Sequence, residues 1–188
     1  MQEISLNILD IVQNSVKAGA TLIRVTVDEN VRDNFLTVTV ADNGCGMTGD
    51  QLEAVTNPFF TTRTTRKVGL GVPLFKMAAE MAGGGLTVRS EVGAGTEIEA
   101  KFTYDHVDRM PLGDIVETMV SVIQCNEDID FIYTHLYNGR RFVMDTREIR
   151  RILADVPLDT EDVVFFLKDF LGENIDEIRK VNENEKFS

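Results

Sequence analysis

The stretch Asp42-Asn-Gly44-Cys-Gly46-Met47 interrupts an alternating strand with two glycines, and it is one of four short segments that decide the fold of this chain. The other three are Asp10-Ile-Val-Gln-Asn14-Ser, Asn57-Pro-Phe-Phe-Thr-Thr62 and Gly69-Leu-Gly71. Together they supply an amide that can bind a metal, an acid that can accept a hydrogen bond from an amine, and turns that can hold phosphates. In this order, the four segments are typical of a nucleotide pocket.

The bulk composition limits the classes of function. A chain of 188 residues corresponds to one domain with an appendage or to two small domains, and 43% hydrophobic residues suffice for a core. The net charge of −12 makes nucleic acid and anionic membranes poor partners. Cys45 and Cys125 fit no metal-binding spacing. Since the sequence contains no apolar run of about 20 residues and no signal peptide, we expect a cytoplasmic protein without a membrane span.

Hydrophobic periodicity predicts an α+β fold for the first half. Apolar residues at helical spacing predict helices over 5–18 and 72–82 and a short one over 50–55, with Leu74, Met77, Ala78 and Met81 of the second helix facing inward. Alternation predicts two hairpins, formed by strands 22–28 and 35–41 and by strands 86–90 and 96–102. The polar segment 56–68 reads as a mobile loop.

A change of composition near residues 104–111 predicts a domain boundary, with a small α/β unit over 105–188. Helices are expected over 113–124, 146–154 and 160–171, and Asn138-Gly139 is a strong hairpin signal between two further strands. The sequence leaves open whether this unit folds alone or extends the first sheet.

The polar stripe of the first helix carries Asp10, Asn14 and Lys17 one turn apart. An amide oxygen such as that of Asn14 suits Mg²⁺, the carboxylate of Asp10 could accept a proton, and Lys17 could meet phosphate charge. A solvated helix face would show the same stripe, so this alternative stays open.

The glycine segments suggest the remainder of a pocket. Asp42 could accept a hydrogen bond from an exocyclic amine, while Gly44 and Gly46 allow close approach of the backbone, although Asp-Asn-Gly is also a common plain turn. Thr96 would stand beside Asp42 if its hairpin returns to that site. Further candidates for contact with the nucleotide are Met47, Gly69, Leu70 and Gly71, and Thr61 and Thr62 in the loop.

These segments resemble the N, G1, F and G2 boxes of the superfamily of gyrase, histidine kinases and mismatch-repair ATPases, over residues 1–104. The resemblance implies a Bergerat fold, a mixed sheet covered by helices on one face. It also implies ATP and Mg²⁺ as ligands, with Asn14 on the metal, Asp42 on the adenine amino group, and Gly69 and Gly71 near the phosphates.

Within the superfamily, the short lid and the Pro-Phe-Phe-Thr-Thr loop resemble sensor histidine kinases and anti-sigma-factor kinases. This implies transfer of a phosphoryl group from ATP to a separate protein, docked by residues 105–188. An ATP-controlled binding switch with slow or no hydrolysis is the alternative, and a mismatch-repair or topoisomerase-like ATPase is a third, which the acidic charge disfavours. The oligomeric state is left open.

Two residues depart from the kinase pattern, and two further observations bear on where a phosphoacceptor would lie. The catalytic carboxylate is Asp10 where Glu is usual, and Pro73 removes one amide near the phosphates. His106 and His135 lie in no phosphoacceptor context, and the chain begins at the N box, so a kinase of this kind would have its acceptor on another chain.

Overall fold

The computed structural model describes residues 2–57 and 69–180, which form six helices and six strands. The helices are α1 (Ile4–Lys17), α2 (Gly49–Thr56), α3 (Gly71–Met81), α4 (Ile115–Cys125), α5 (Thr146–Leu153) and α6 (Glu161–Lys180). The strands are β1 (Leu22–Asn30), β2 (Phe35–Asp42), β3 (Gly85–Glu91), β4 (Gly95–Thr103), β5 (Asp130–Tyr137) and β6 (Arg140–Asp145).

All six strands belong to one mixed sheet in the order β3-β4-β2-β1-β5-β6. The β1–β5 pair is parallel and the other four pairs are antiparallel, so the predicted hairpins and the α+β class are confirmed. At the β5–β6 turn, Asn138 and Gly139 both have positive φ, as a two-residue type I′ hairpin requires. Residues 105–180 therefore extend the sheet of the first half.

Helices α1, α3, α4 and α6 form one layer over one face of this sheet. Alternate residues of the strands turn towards that layer, among them Val25, Val38 and Tyr133, which are fully buried. The residues between them, such as Arg24, lie on the opposite, partly exposed face of the sheet. One continuous core runs from Ile4 to Ile178, so the two halves of the chain share their burial of apolar surface.

The start of α1 is held by the segment that leads into the second half. No side chain caps this helix, and the free amides of Ile4 and Ser5 donate instead to the carbonyls of Pro111 and Leu112, at 3.0 and 2.8 Å. Unpaired amides in the first turn of a helix need such acceptors. The linker thus fixes the helix that carries Asp10 and Asn14.

A buried polar network joins β1, β5 and α6 at one end of the sheet. Glu29 of β1 contacts His135 Nε2 at 2.7 Å and accepts from Arg179 Nε at 3.1 Å, and the Tyr133 hydroxyl lies 2.6 Å from His135 Nδ1. Burial raises the pKa of Glu29, but hydrogen bonding by His135 and the charge of Arg179 outweigh it, so the pKa falls below the ordinary value. Burial, with the negative charge of Glu29, raises the pKa of Tyr133 well above its ordinary value.

The predicted inward face of α3 is wrong for three of its four residues, whereas the fourth, Ala78, is partly buried against the core. Leu74, Met77 and Met81 are 42%, 52% and 59% exposed, whereas Val72, Phe75 and Ala79 are buried. Apolar residues occur on both sides of this helix, so periodicity fits either orientation. Packing decides between them, because the Phe75 ring fits against Phe102 with centroids 5.9 Å apart.

The predicted end of the last helix at residue 171 is also wrong, since α6 continues to Lys180. Leu167, Leu171, Ile175 and Ile178 form one buried stripe at helical spacing. Burial of the last two side chains offsets the cost of about 1 kcal/mol that Gly172 imposes inside a helix. The other predicted elements agree with the structure to within two residues at each end.

Candidate functional site

The polar face of α1 lies beside the glycine segment that begins α3. A Cβ placed on Gly69 would lie 3.9 Å from Asn14 Oδ1, and one on Gly71 would lie 3.1 Å from Asp10 Cβ. Because α1 buries its apolar side, Asn14 is left half-buried at the surface, with Asp10 and Lys17 exposed. The structure thus brings the predicted metal ligand and carboxylate next to the predicted phosphate turn.

Asp42, at the end of β2, is held from two directions. The Ser15 hydroxyl donates to its Oδ2 at 2.6 Å, and the Gly44 amide donates to its Oδ1 at 2.8 Å. Each carboxylate oxygen keeps capacity for a further hydrogen bond, because an ionised carboxylate can accept about four. Since Ser15 follows Asn14 in α1, Asp42 stands against the same helix as the predicted metal ligand.

Three glycines around Asp42 are required by close backbone contact. A Cβ on Gly44 would lie 2.9 Å from Ala18 Cβ, at the end of α1. Gly46 has a φ of +69° and its Cβ would lie 1.9 Å from the Glu91 carbonyl oxygen. Gly95 has a φ of +128° and its Cβ would lie 1.9 Å from the Asp42 carbonyl oxygen. The turn after β2 therefore packs directly against α1 and the β3–β4 hairpin.

The β3–β4 hairpin returns to Asp42, which is the condition under which the sequence places Thr96 beside it. Thr96 is the direct register partner of Asp42, and its hydroxyl lies 2.8 Å from that of Ser90. Ser90 Oγ also accepts from the Met47 amide at 2.8 Å. A cleft of about 390 Å³ at this end of the sheet is lined by Asp42, Ser90 and Thr96. Ala41, Arg89 and Glu97, which alternate with them along the strands, also line it, and Asn14 does not.

The remaining predicted site residues are Leu70, Lys17, Thr61 and Thr62, and the structure describes the first two. Leu70 immediately precedes α3 and is 65% exposed. Lys17 lies in the last turn of α1 and forms no ion pair within residues 2–57 and 69–180. Thr61 and Thr62 lie outside the described residues.

Two serines escaped the sequence analysis as site residues. Ser15 lies on the buried, largely apolar side of α1, yet its hydroxyl orients Asp42. A small polar residue within a buried stripe is a signal for such a contact, because a buried hydroxyl needs a partner. Ser90 gave no such signal, since its role depends on how the hairpin folds back.

The residues present fit a hard cation bridged to phosphate. Asn14 offers an amide oxygen at the open side of Gly69, and Mg²⁺ typically takes one or two protein oxygens together with waters and phosphates. Within the described part of the chain, no group of three His, Cys, Asp or Glu residues could hold a metal by itself. This favours a cation that arrives with a phosphate ligand over a protein-only metal centre.

A model of the histidine kinase-, DNA gyrase B- and HSP90-like ATPases matches residues 2–106. The chain belongs to this ATPase family. The match contains α1, the Asp42 turn and the start of α3, so all the described candidate residues of this ATPase-family chain lie inside it.

Sensor kinases are among the curated relatives of this ATPase-family chain. A sensor-like histidine kinase of Rhizobium meliloti is 35% identical over 96 residues, or 48% of this chain and 18% of the kinase. Histidine protein kinase DivJ of Caulobacter vibrioides is 31% identical over 98 residues, or 50% of this chain and 16% of DivJ. Sensor protein SrrB of Staphylococcus aureus is 35% identical over 101 residues, or 51% of this chain and 17% of SrrB. The similarity thus spans less than a fifth of each relative.

A solved structure shows the same fold. The crystal structure of the N-terminal domain of a DNA repair protein matches 77% of this chain and 53% of the repair-protein chain, with a TM-score of 0.54 and 12% identity.

In the ranges 2–57 and 69–180, none of the helices has the length and apolar character needed to cross a membrane.

Proposed function

We propose that this chain binds ATP with Mg²⁺ and transfers the γ-phosphoryl group to a separate protein. One observation carries the proposal: α1 places Asn14 and Asp10 against the Gly69–Gly71 turn, while the next residue, Ser15, holds Asp42. An amide that could bind a metal, a carboxylate, a glycine turn and an acid able to accept a hydrogen bond from an amine are therefore neighbours. Membership of an ATPase family supports this assignment.

The nucleotide would contact both sides of α1. Asp42 would accept a hydrogen bond from the adenine amino group, with Gly44, Gly46, Met47 and Thr96 around the base. The amides of Gly69, Leu70 and Gly71 and the N-terminus of α3 would face the phosphates, as helix N-termini commonly do. Lys17, Thr61 and Thr62 would add to the phosphate site. Asn14 would hold Mg²⁺, which neutralises phosphate charge when bound.

Asp10 would serve the acceptor. In transfer to a hydroxyl, the acceptor oxygen bonds to the γ-phosphorus, the bond to the β–γ bridging oxygen breaks, and ADP leaves. The acceptor proton goes to the Asp10 carboxylate, which is exposed beside Gly71. A histidine acceptor would depend less on this carboxylate.

The partner would be another protein, and the reaction would take place in the cytoplasm. The similarity to sensor histidine kinases supports a protein phosphoacceptor. A net charge of −12 argues against nucleic acid as the partner. Residues 105–188 would dock this partner.

Thermal unfolding with and without Mg·ATP tests nucleotide binding. The ligand should raise the midpoint of the wild-type chain, because it binds only the folded state. Asn14→Ala and Asp42→Ala should each remove the rise. Asn7→Ala is the matched control, since Asn7 is a half-buried amide two turns earlier in α1, and it should keep the rise. An equal rise in all four proteins would refute the site.

ATP labelled at the γ-phosphate, incubated with candidate partner proteins, tests the transfer. Label should appear on a partner and should vanish with Asn14→Ala. Binding of ATP without label on any candidate, including this chain itself, would count against phosphotransfer.

An ATP-controlled binding switch is the second candidate, and the short side chain of Asp10 favours it. Asp10→Asn distinguishes the two functions. In a switch, the variant keeps both nucleotide affinity and nucleotide-dependent partner binding, whereas in a phosphotransferase it keeps affinity and loses transfer to a hydroxyl acceptor.

A further inference from the structure

Strand β6 ends the sheet and leaves one side of its backbone unpaired by any other strand in residues 2–57 and 69–180. Such a strand offers alternate amide and carbonyl groups to an added strand. Val143, in the middle of β6, is 41% exposed. We define the β6 edge as Arg140–Asp145 of β6 together with Phe166 and Phe170 of α6.

The helix side of the β6 edge is aromatic. The rings of Phe166 and Phe170 are stacked with centroids 5.6 Å apart, and Phe170 meets Phe142 of β6 edge-on at 5.4 Å. Phe166 remains 51% exposed, whereas Phe170 is half-buried and Phe142 is buried. An added strand would find apolar surface on this side.

Basic residues cluster in and just after β6, in a chain that is otherwise strongly acidic, and Arg141 is the one that lies on the open face of the strand, opposite Phe142. Residues 140–151 contain five arginines against Asp145 and Glu148, while the whole chain has a net charge of −12. Arg147 and Arg150 are paired with Asp145 and Asp130. The other three, Arg140, Arg141 and Arg151, form no ion pair within the described residues.

The other edge of the sheet, β3, differs in this respect. Its arginine, Arg89, is already bound to Glu97 of the neighbouring strand at 2.7 Å. Arg141 occupies the corresponding face of β6 and alternates with the buried Phe142 and Met144. Of the two edge strands, as far as residues 2–57 and 69–180 show, β6 presents an exposed arginine that forms no ion pair, and exposed aromatic surface lies on its other face.

We propose that the β6 edge binds an extended segment of a partner protein as a seventh strand, and that apolar and acidic residues alternate in that segment. Successive side chains of a strand point to opposite faces, so one set would contact Phe142 and Phe166 and the other would face Arg141. A second copy of this chain fits less well, because pairing β6 with β6 would bring two basic segments together.

The inference concerns the partner of the proposed phosphotransferase, but it depends only on the edge geometry. The probe is a short synthetic peptide that alternates valine and glutamate, titrated into the full chain without nucleotide. A peptide with the same residues, but with the glutamates grouped at one end, serves as the control. The alternating peptide should bind saturably at low salt, more tightly than the grouped one, and should slow hydrogen exchange of β6 amides while β3 amides are unchanged.

Paired variants locate the contact. Arg141→Glu and Phe166→Ser should each weaken the binding by about fivefold or more, since each removes cross-strand contacts. Arg24→Glu reverses an exposed arginine on the same open face, two strands away, and Phe165→Ser alters a 67% exposed ring in the preceding position of α6. Both controls should bind the peptide as the wild type does.

Four results would overturn the inference. The first is the absence of saturable binding, and the second is equal binding of the two peptides. The third is that the variants and their controls have equal effects. The fourth is that the chain associates with itself and Arg141→Glu abolishes this association. Tighter binding of a thymidine oligonucleotide that Arg141→Glu abolishes would also overturn it in favour of nucleic acid. The Mg·ATP midpoint of each variant is measured in parallel, so a failed edge with intact nucleotide binding leaves the proposed function standing.

Discussion

The hydroxyl of Ser15 donates to Oδ2 of Asp42 at 2.6 Å and thereby joins the last turn of α1 to the end of β2. Ser15 is buried, so no water competes freely for this contact. The hydrogen bond fixes the direction in which Asp42 presents its carboxylate.

Ser15→Ala should therefore lower ATP affinity by about tenfold, because a hydrogen bond to a charged group contributes about 1.5–3 kcal/mol. The loss should be smaller for a purine triphosphate without the exocyclic amine, which gains less from Asp42. Isothermal titration with both nucleotides measures the difference.

Ser5→Ala is the control for this variant. Ser5 is equally buried in α1, but its hydroxyl donates to Glu3 at 3.3 Å, far from Asp42 in sequence. It should leave the ratio of the two affinities unchanged. If Ser15→Ala and Ser5→Ala behave alike, Ser15 is only a packing residue.

Gly95→Ala should destabilise the chain by at least about 3 kcal/mol, through left-handed strain and collision with the Asp42 carbonyl. Gly93→Ala carries a similar strain at φ +81°, but its Cβ meets nothing within 4 Å, so about 1–2 kcal/mol is expected. Urea unfolding of both variants separates strain from collision. Equal losses would mean that the β3–β4 hairpin can move away from Asp42.

Glu29→Gln should lower the free energy of unfolding by about 1–3 kcal/mol at neutral pH. This is less than for a fully buried ion pair, because Arg179 is partly exposed. The pKa of Glu29 is lowered in the fold, so its ionised form stabilises the native state at pH values above the ordinary carboxyl pKa. This stabilisation is lost as the pH falls through the folded pKa. The difference between wild type and variant should therefore shrink on acidification.

Thermal unfolding between neutral pH and about pH 3 measures this difference. Glu97→Gln removes the exposed pair with Arg89 and should cost less than about 1 kcal/mol at neutral pH. A constant gap between wild type and Glu29→Gln across the range would show that the network is not coupled to the charge of Glu29.

Phe75→Ala and Met77→Ala test the orientation of α3. Phe75 is fully buried, so its truncation should lower the free energy of unfolding by about 3–5 kcal/mol. Met77 is half exposed, so its truncation should lower the same quantity by less than about 0.5 kcal/mol. Urea midpoints measure both effects. Similar losses would favour the inward face predicted from the sequence.

Much of the fold follows from local pattern. Alternation in β1 and β2 identifies the buried side directly, since only one face of these strands is apolar. The α3 helix is apolar on two sides, so its orientation depends on which rings find room in the core. The extension of the sheet by β5 depends on pairing with β1, which no local signal encodes.

The candidate site divides in the same way. Asp10 and Asn14 are predictable because helical spacing places them on one face, and the glycines of the Asp42 turn mark a close approach. Ser15 was missed because its contact crosses to another element, and Ser90 because a hairpin brings it there. Thr61 and Thr62 stay predictions, as they lie outside the described residues.

The parallel pairing of Leu22 with Asp130 has a consequence for synthesis. When the ribosome has produced the family-matched segment, ending at residue 106, β1 still lacks one neighbour and exposes its backbone on that side. Such an incomplete sheet invites aggregation until the later strand emerges. This open side of β1 closes only when the second half has been translated and β5 pairs along it.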